Sequence, residues 1–254
     1  MRDGAAIAAR LGGRRANRGW SFCCPCHTDR VASCSIRDDG LITCFAGCAR
    51  SEVAAHLDAL GFPDDGAVNT TPIKDDVPAR VAKAAAMWRE ALIDDSYVGS
   101  YLATRGINTP VPPVLRRWKK GFIAAAQRRN GALTAVHTKS SNQKGKTFGW
   151  MADAAVQLTP ISGDELGLAE GVETALSATI LHGIPCWAAL SAVRLERVGL
   201  PGQVKRLHLF PDNDEPGREA AQRAIKRYSN RVAIKIWWPP PGQDFNDVLM
   251  GKSL

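Results

Sequence analysis

In the stretch Arg50-Ser-Glu-Val-Ala-Ala-His-Leu-Asp-Ala-Leu60, Val53, Leu57 and Leu60 recur at helical spacing, and Gly61 is placed to end the helix. The periodicity then lapses over 61–79, where Pro63, Pro72 and Pro78 alternate with the acidic pairs Asp64-Asp65 and Asp75-Asp76, as in a linker between domains. A helix is expected over 81–93. From residue 165 onward the pattern alternates between short apolar runs and amphipathic stretches. It predicts strands at 166–169, 186–189, 206–210 and 231–238, with helices at 172–182, 190–198 and 215–228 between them. Pro239, Pro240, Pro241 and Gly242 break the chain before a last short helix at 246–250. Strand and helix in alternation imply an α/β layer built on a largely parallel sheet. There is no internal repeat and no low-complexity tract.

Composition narrows the class. With 254 residues, 45% hydrophobic and 23% charged, the chain is long enough to bury a core without disulfide staples. No run approaches the roughly 18–20 apolar residues of a membrane span, and residues 1–19 lack the apolar core of a secretory signal, so a cytoplasmic protein is expected. The formal charge is +8, and it is local: 96–152 holds ten Lys or Arg residues and no Asp or Glu. The other 23 basic residues face 25 acidic ones elsewhere. Within the basic stretch Arg116, Arg117, Lys119 and Lys120 flank Trp118, followed by Arg128, Arg129, Lys139, Lys144 and Lys146. Such residues neutralise phosphates, either of a nucleic acid or of nucleoside triphosphates, and an aromatic among them can stack a base. Trp118, taken by itself, reads as a core position. Residues 139–150 read as a polar, glycine-containing loop.

Six of the seven cysteines fall between Cys23 and Cys48; the seventh, Cys186, lies inside an apolar strand and reads as core. A cluster this tight, in a chain without a signal peptide, points to metal binding rather than disulfides. Structural zinc takes four N or S ligands, commonly two close pairs from two turns. Cys24 with His27 and Cys44 with Cys48 make such a set, joined through a hairpin turning at Asp38-Asp39-Gly40. Cys23 and Cys26 also have pair spacing, so the first pair stays open, and Cys34 reads as a small core residue.

Three acidic motifs fall at the carboxyl ends of expected strands: Glu170-Gly171, Asp212-Asn-Asp214 and Asp244-Phe-Asn-Asp247. In open α/β sheets that edge is where ligands bind. Converging carboxylates repel one another, and Mg²⁺, a hard cation that prefers oxygen ligands, relieves the repulsion and serves phosphoryl and nucleotidyl transfer. Asp214, three residues before Gly217, also suits a helix N-cap.

Glu170-Gly171, then Asp212-x-Asp214 with Gly217, then Asp244-Phe-Asn-Asp247 resembles the Toprim domain of bacterial and phage primases. Cys24-Pro-Cys-His27 and Cys44-Phe-Ala-Gly-Cys48 resemble the zinc ribbon that precedes it in those primases, and the whole chain resembles the small zinc-plus-Toprim primase-like proteins of phages, plasmids and integrated elements. The resemblance implies a zinc-ribbon β module over 1–60, a linker over 61–79, a basic α+β segment over 80–164 and a Toprim-type sheet with flanking helices over 165–254. It implies structural Zn²⁺ on Cys24, His27, Cys44 and Cys48, and Mg²⁺ or Mn²⁺ on Glu170, Asp212, Asp214 and Asp244, with Glu170 in acid/base chemistry. Glu173 stands where some primases carry an Asp. The implied activity is synthesis of short RNA primers on single-stranded DNA from NTPs, beside a separate replicative helicase, with the zinc ribbon helping to select template. Two departures stand out: the second zinc pair is spaced C-x3-C, and no G-x-x-x-x-G-K-[ST] motif occurs, so no fused helicase is expected. A Toprim nuclease, or a non-catalytic zinc-bearing DNA-binding accessory protein, would use the same residues differently.

Overall fold

The structure is a computed structural model that describes residues 2–16, 19–29, 31–38, 40–45, 48–64, 77–140 and 143–252, without the side chains of Gln143 and Lys144. The Asp39 position of the expected hairpin turn, most of the expected linker (65–76) and the Lys144 side chain therefore lie outside the described residues. The chain forms two compact units, 1–75 and 76–254.

In the first unit, helix α1 (Gly4–Arg10) starts at Asp3, whose carboxylate accepts the backbone N–H groups of Ala5 and Ala6. Strands β1 (Arg14–Ala16), β2 (Gly19–Phe22), β3 (Cys34–Arg37) and β4 (Ile42–Cys44) follow as an antiparallel meander, and helix α2 (Arg50–Ala59) closes the unit. A small core of Ile7, Phe22, Ile36, Ile42, Val53 and Leu57 joins helices to sheet. Leu60, expected on the apolar face of α2, is instead its C-cap and 40% exposed, because the helix ends before its side chain turns inward.

The second unit begins with α3 (Val77–Glu90) and α4 (Asp95–Ala103), continues through β5 (Leu115–Trp118), β6 (Gly121–Gln127), β7 (Leu133–Ser140), β8 (Gln143–Gly149) and β9 (Ala155–Val156), and then alternates: β10 (Glu165–Ala169), α5 (Val172–His182), β11 (Cys186–Ala188), a 3-10 helix (Ala192–Arg197), β12 (Arg206–Phe210), α6 (Glu215–Tyr228), β13 (Ala233–Ile236) and α7 (Phe245–Leu249). All nine strands join one sheet in the order β13-β12-β10-β11-β9-β6-β7-β8, with β5 also on β6. The pairings among β13, β12, β10 and β11 are parallel; β9, β6, β7, β8 and β5 pair antiparallel. The basic stretch and the α/β stretch thus share a single sheet.

Side chains alternate across the pleat, so β10 sends Leu166 and Leu168 to one face and Ala169 to the other. On the first face they meet Leu207 and Leu209 of β12, Ala220, Ala224 and Tyr228 of α6, and Leu195 of the 3-10 helix. On the second, Phe122 and Ala124 of β6 pack with Val98 and Leu102 of α4, Leu176 of α5 and Phe245 of α7. Helix α3 packs on β7 and β8, and its Ala84 joins Ile123 of β6 and Val136 of β7 in a third cluster with Trp88, Trp118 and Phe148 partly buried around it. Among the described residues, no helix is long and apolar enough to cross a membrane.

Two expectations are corrected. Within the expected polar loop at 139–150, Lys139 and Ser140 end β7, and 143–149 form β8, which pairs antiparallel with it. The β8 glycines are close-approach positions inside the ladder: a Cβ on Gly145 would lie 2.2 Å from His137 Nε2, and one on Gly149, at φ +102°, 2.4 Å from the Thr134 carbonyl oxygen. The helix expected at 190–198 is only a six-residue 3-10 turn, a geometry suited to a short connection squeezed between β11 and Pro201. The expected strand 231–238 shortens to β13, and α4 with β5, β6 and β9 adds structure where no element was expected.

Tyr228 fixes the 3-10 helix against α6: its ring is 1% exposed, and its hydroxyl is shared between the carbonyl oxygens of Leu195 (3.1 Å) and Val198 (2.8 Å). Tyr228→Phe leaves those carbonyls without their donor, and urea unfolding should show a loss of about 1–2 kcal/mol; an unchanged midpoint would mean the hydroxyl contributes nothing net.

Candidate functional site

The carboxyl ends of β10 and β12 carry the acidic residues together. Glu170 follows the last residue of β10, and its backbone carbonyl accepts from Leu190 N at 2.8 Å, continuing the ladder one step beyond β11. Asp212 follows β12, and Asp214 caps α6 by accepting Gly217 N at 2.8 Å. Gly217 has no room for a side chain, since a Cβ there would sit 2.1 Å from the Asp212 carbonyl oxygen.

A second loop is tied to this one. Asn213 N donates to the Gln243 carbonyl (3.1 Å), Gly242 N to the Asn213 carbonyl (2.9 Å), and Asn213 Nδ2 to the Pro239 carbonyl (2.7 Å). These bonds bring the start of α7 against the start of α6. Asp244 caps α7 by accepting Asp247 N at 2.8 Å, and Asp247 in turn pairs with Lys252 at 2.7 Å. Asn246 is fully buried and donates to the Arg105 carbonyl (2.7 Å) and Ser177 Oγ (3.0 Å), anchoring α7 on α5 and on the chain after α4.

The crowding has electrostatic consequences. Burial, then the charges of Asp212 and Asp214, push the Glu170 carboxyl up to about 8, although the backbone N–H groups of Asp212 and Ala192 oppose the rise. Burial, then Asp244, Asp214 and Asp247, push Asp212 up to about 7. The Lys252 hydrogen bond holds Asp247 below its ordinary value. Glu170 Oε1 and Asp212 Oδ1 are buried with no hydrogen-bond partner among the described residues. Two orphaned carboxylate oxygens amid acidic neighbours fit a hard divalent cation by donor chemistry. Glu170, Asp212, Asp214 and Asp244 are the residues of this centre that could hold it. Asp247 belongs to the same acidic surroundings, and the pairing of its loop with the Asp212 loop, invisible in sequence, is what puts it there.

Glu173, in the first turn of α5, faces another group. Its Oε1 accepts the Tyr101 hydroxyl at 2.8 Å and lies 4.0 Å from Lys139 Nζ. His137, two residues before Lys139 on β7, has Nδ1 3.0 Å from Thr147 Oγ1, and burial lowers its pKa to about 4. Tyr101 and His137 carried no functional signal in sequence; only the fold joins α4, β7 and α5.

The remaining basic residues are dispersed. Arg116 donates to the Trp88 carbonyl at 3.0 Å with its guanidinium 4.2 Å from the Trp88 ring centroid, Arg117 pairs with Asp94 (3.0 Å) over Tyr97, and Arg128 pairs with Asp153 (2.7 Å). Lys119, Lys120, Arg129 and Lys146 are exposed. Lys119 and Lys120 sit in the β5–β6 turn and Arg128 and Arg129 in the β6–β7 turn, at opposite ends of β6.

In the first unit, ligand atoms of Cys24, His27, Cys44 and Cys48 lie within 4.8 Å of one another. His27 turns Nδ1 to Cys48 Sγ (3.2 Å) and Nε2 to Asp29 Oδ1 (2.8 Å). Asp29 also accepts Cys24 N at 2.7 Å, so one carboxylate orients two members of the set, as outer-shell carboxylates do for metal-bound histidines. Of the alternatives open in sequence, the grouping takes Cys24; Cys26 lies beside His56, 3.6 Å from its Nδ1. Cys34, 1% exposed, packs beside the thiols of Cys24 and Cys44. Burial and neighbouring thiols push Cys48 up to about 12. Three sulfurs and one imidazole nitrogen fit Zn²⁺.

Residues 165–253 match the family described as Toprim domain. The chain is similar in structure to a DNA primase domain from Pseudomonas aeruginosa, at 15% identity and TM-score 0.40 over 54% of this chain and 49% of that one. It is likewise similar to the zinc-binding and RNA polymerase domains of Aquifex aeolicus primase (15% identity, TM-score 0.47, 97% and 79%). A third similarity is to the primase fragment of the bacteriophage T7 primase-helicase protein (14% identity, TM-score 0.46, 88% and 92%). The chain spans about half the length of the first of these. No curated protein matches the sequence.

Raised carboxyl pKa values make stability pH-dependent in Mg²⁺-free buffer. Folded Glu170 and Asp212 keep protons that the unfolded chain releases near pH 4, so their contribution is complete below that range and is lost as pH rises through about 7 to 8. Urea midpoints should therefore fall between pH 5 and pH 8.5, and Glu170→Gln should shrink the fall; an equal fall in the variant would remove Glu170 as its source. For the first unit, zinc quantification should return about one ion per chain, lost in Cys44→Ser together with urea resistance of that unit.

Proposed function

We propose that the protein is a primase-like nucleotidyltransferase that makes short RNA primers on single-stranded DNA, in keeping with the match of residues 165–253 to the Toprim domain family. The observation that carries this reading is the pair of buried, unpartnered oxygens, Glu170 Oε1 and Asp212 Oδ1, within a ring of further carboxylates. Glu170, Asp212, Asp214 and Asp244 would hold Mg²⁺ or Mn²⁺, which when bound supplies positive charge to the phosphates and acidifies the attacking hydroxyl. In the reaction a ribonucleotide 3′-hydroxyl attacks the α-phosphate of the next NTP; the new P–O bond forms as pyrophosphate leaves. Glu170, whose carboxyl is tuned toward neutrality, would receive the hydroxyl proton.

The other features support the same reading. The Cys24, His27, Cys44 and Cys48 set would hold Zn²⁺ as the fixed point of a small template-binding module. Exposed Lys119, Lys120, Arg129 and Lys146 would neutralise phosphates of template or NTP without reading sequence. A separate replicative helicase would supply the single strand, in the cytoplasm.

The test is incubation with single-stranded DNA, all four NTPs and Mg²⁺. Short RNA should form, and Glu170→Gln and Asp212→Asn should each lower its yield by about 100-fold or more. Absence of RNA on every template, or wild-type yield from both variants, would reject the reading. Mg²⁺-dependent nicking without NTPs would support a nuclease in its place.

A further inference from the structure

Two glutamates, three residues apart, flank Gly171, the N-cap of α5, and the fold treats them oppositely. Glu170 faces Asp212 and Asp214 and has an oxygen with no partner. Glu173 has partners: its Oε1 accepts from the Tyr101 hydroxyl (2.8 Å) and lies 4.0 Å from Lys139 Nζ, and its side chain is 13% exposed. Tyr101 is itself fixed, its ring edge-on to Phe122 at 5.3 Å, and Phe122 is the cross-strand partner of Lys139. A carboxylate with a fixed hydroxyl donor and an ammonium beside it is already neutralised, and has little to offer a metal ion.

We propose that Glu173 is a positioning residue: with Tyr101 it holds Lys139 at the mouth of the carboxylate centre as a preset site for a nucleotide phosphate, and it is not a ligand of the metal. The proposal rests on the primase-like reading for its substrate class. Glu173 stands in the first turn of α5, just past the N-cap Gly171, with its Oε2 3.9 Å from where a Cβ on Gly171 would lie, so the carboxylate that steadies the ammonium sits beside the residue that follows Glu170. At 4.0 Å the ion pair is loose, and the Lys139 side chain remains 35% exposed, so N–H donors stay available to an incoming anion. The neighbouring ring of His137 is uncharged near neutrality, which leaves Lys139 as the cation on this face of β7. Gly145 makes the arrangement possible, because a side chain there would meet the His137 ring. The geometry divides the local acids between two tasks: one group faces the cation site, and one carboxylate orients a lysine toward the phosphates.

The test uses the full chain with zinc bound and reads binding without turnover. Mn²⁺ affinity is measured by electron paramagnetic resonance, and affinity for MgATP and for inorganic tripolyphosphate by calorimetry. Lys139→Ala, Glu173→Gln and Tyr101→Phe should weaken binding of both phosphate ligands, by about tenfold for the first two and less for the third. The Lys139→Ala/Glu173→Gln double variant should lose little more than either single one, since both act through one ammonium. Lys139→Arg should restore most of the affinity. Mn²⁺ affinity should stay at the wild-type value in Glu173→Gln and fall in Asp212→Asn. Loss of Mn²⁺ binding in Glu173→Gln, wild-type phosphate affinity in both Lys139→Ala and Glu173→Gln, or no phosphate binding by the wild-type chain would overturn the proposal. Tyr101→Phe removes one hydroxyl and serves if Glu173→Gln does not fold. Failure to make RNA with the expected binding pattern intact would reject priming alone; RNA synthesis unaffected in affinity by these substitutions would reject the positioning role alone.

Discussion

Like charges crowded at the carboxyl ends of β10 and β12 are the constraint on which the second unit depends. Two unit charges about 4 Å apart repel by about 4 kcal/mol at an effective dielectric of 20, and Glu170 and Asp212 are each surrounded by further acids. Left to themselves the loops carrying these residues would separate. They are held by neutral contacts: the reciprocal bonds of Asn213 with Gln243 and Gly242, the Asn213 bond to Pro239, and the buried Asn246 pinning α7 to α5. Asp214 and Asp244 spend lone pairs on their own helix N-termini, which softens their charge but leaves oxygens over. Protonation or a divalent cation relieves the remainder, and the two compete for the same oxygens.

The first unit faces the same problem in sulfur. Its core is small, and four thiols, Cys24, Cys34, Cys44 and Cys48, meet where β3 and β4 pair and the knuckles approach. Burial and mutual proximity raise the thiols of Cys24, Cys34 and Cys48, so without metal these stay protonated and pack as small hydrophobes. Asp29 has already chosen a geometry, taking Cys24 N and His27 Nε2 and leaving His27 Nδ1 toward Cys48. A prearranged imidazole lowers the ordering cost of metal binding, which for a module this size is also a folding cost.

What was legible in the sequence follows from which interactions are local. Helices α5 and α6 and strand β12 keep their expected limits because amphipathic spacing, an N-cap aspartate in α6 and flanking glycines act within a few residues. The acidic motifs were legible because strand ends announce themselves. Strand β8 was not, since Lys146 and Thr147 put polar residues on both faces and its pairing partner, β7, supplies the reason for it to be extended. Tyr101, His137 and Glu173 meet only in three dimensions; no spacing rule links a tyrosine on α4 to a glutamate 72 residues later.

The charge map changes meaning in the same way. In sequence, 96–152 is an unbroken basic stretch; in the fold it separates by task. Arg116 and Arg117 lie over Trp88 and Tyr97 and bond to the last turn of α3 and to the α4 N-cap Asp94, which makes them part of the packing around β5. Arg128 closes onto Asp153. Lys139 turns toward Glu173, while Lys119, Lys120, Arg129 and Lys146 are exposed to solvent. Because β6 separates the two turns by about 20 Å, one phosphate cannot bridge them. An anion that used both ends would have to be extended, with several charges in series, which is a property of a polynucleotide strand and not of a single triphosphate.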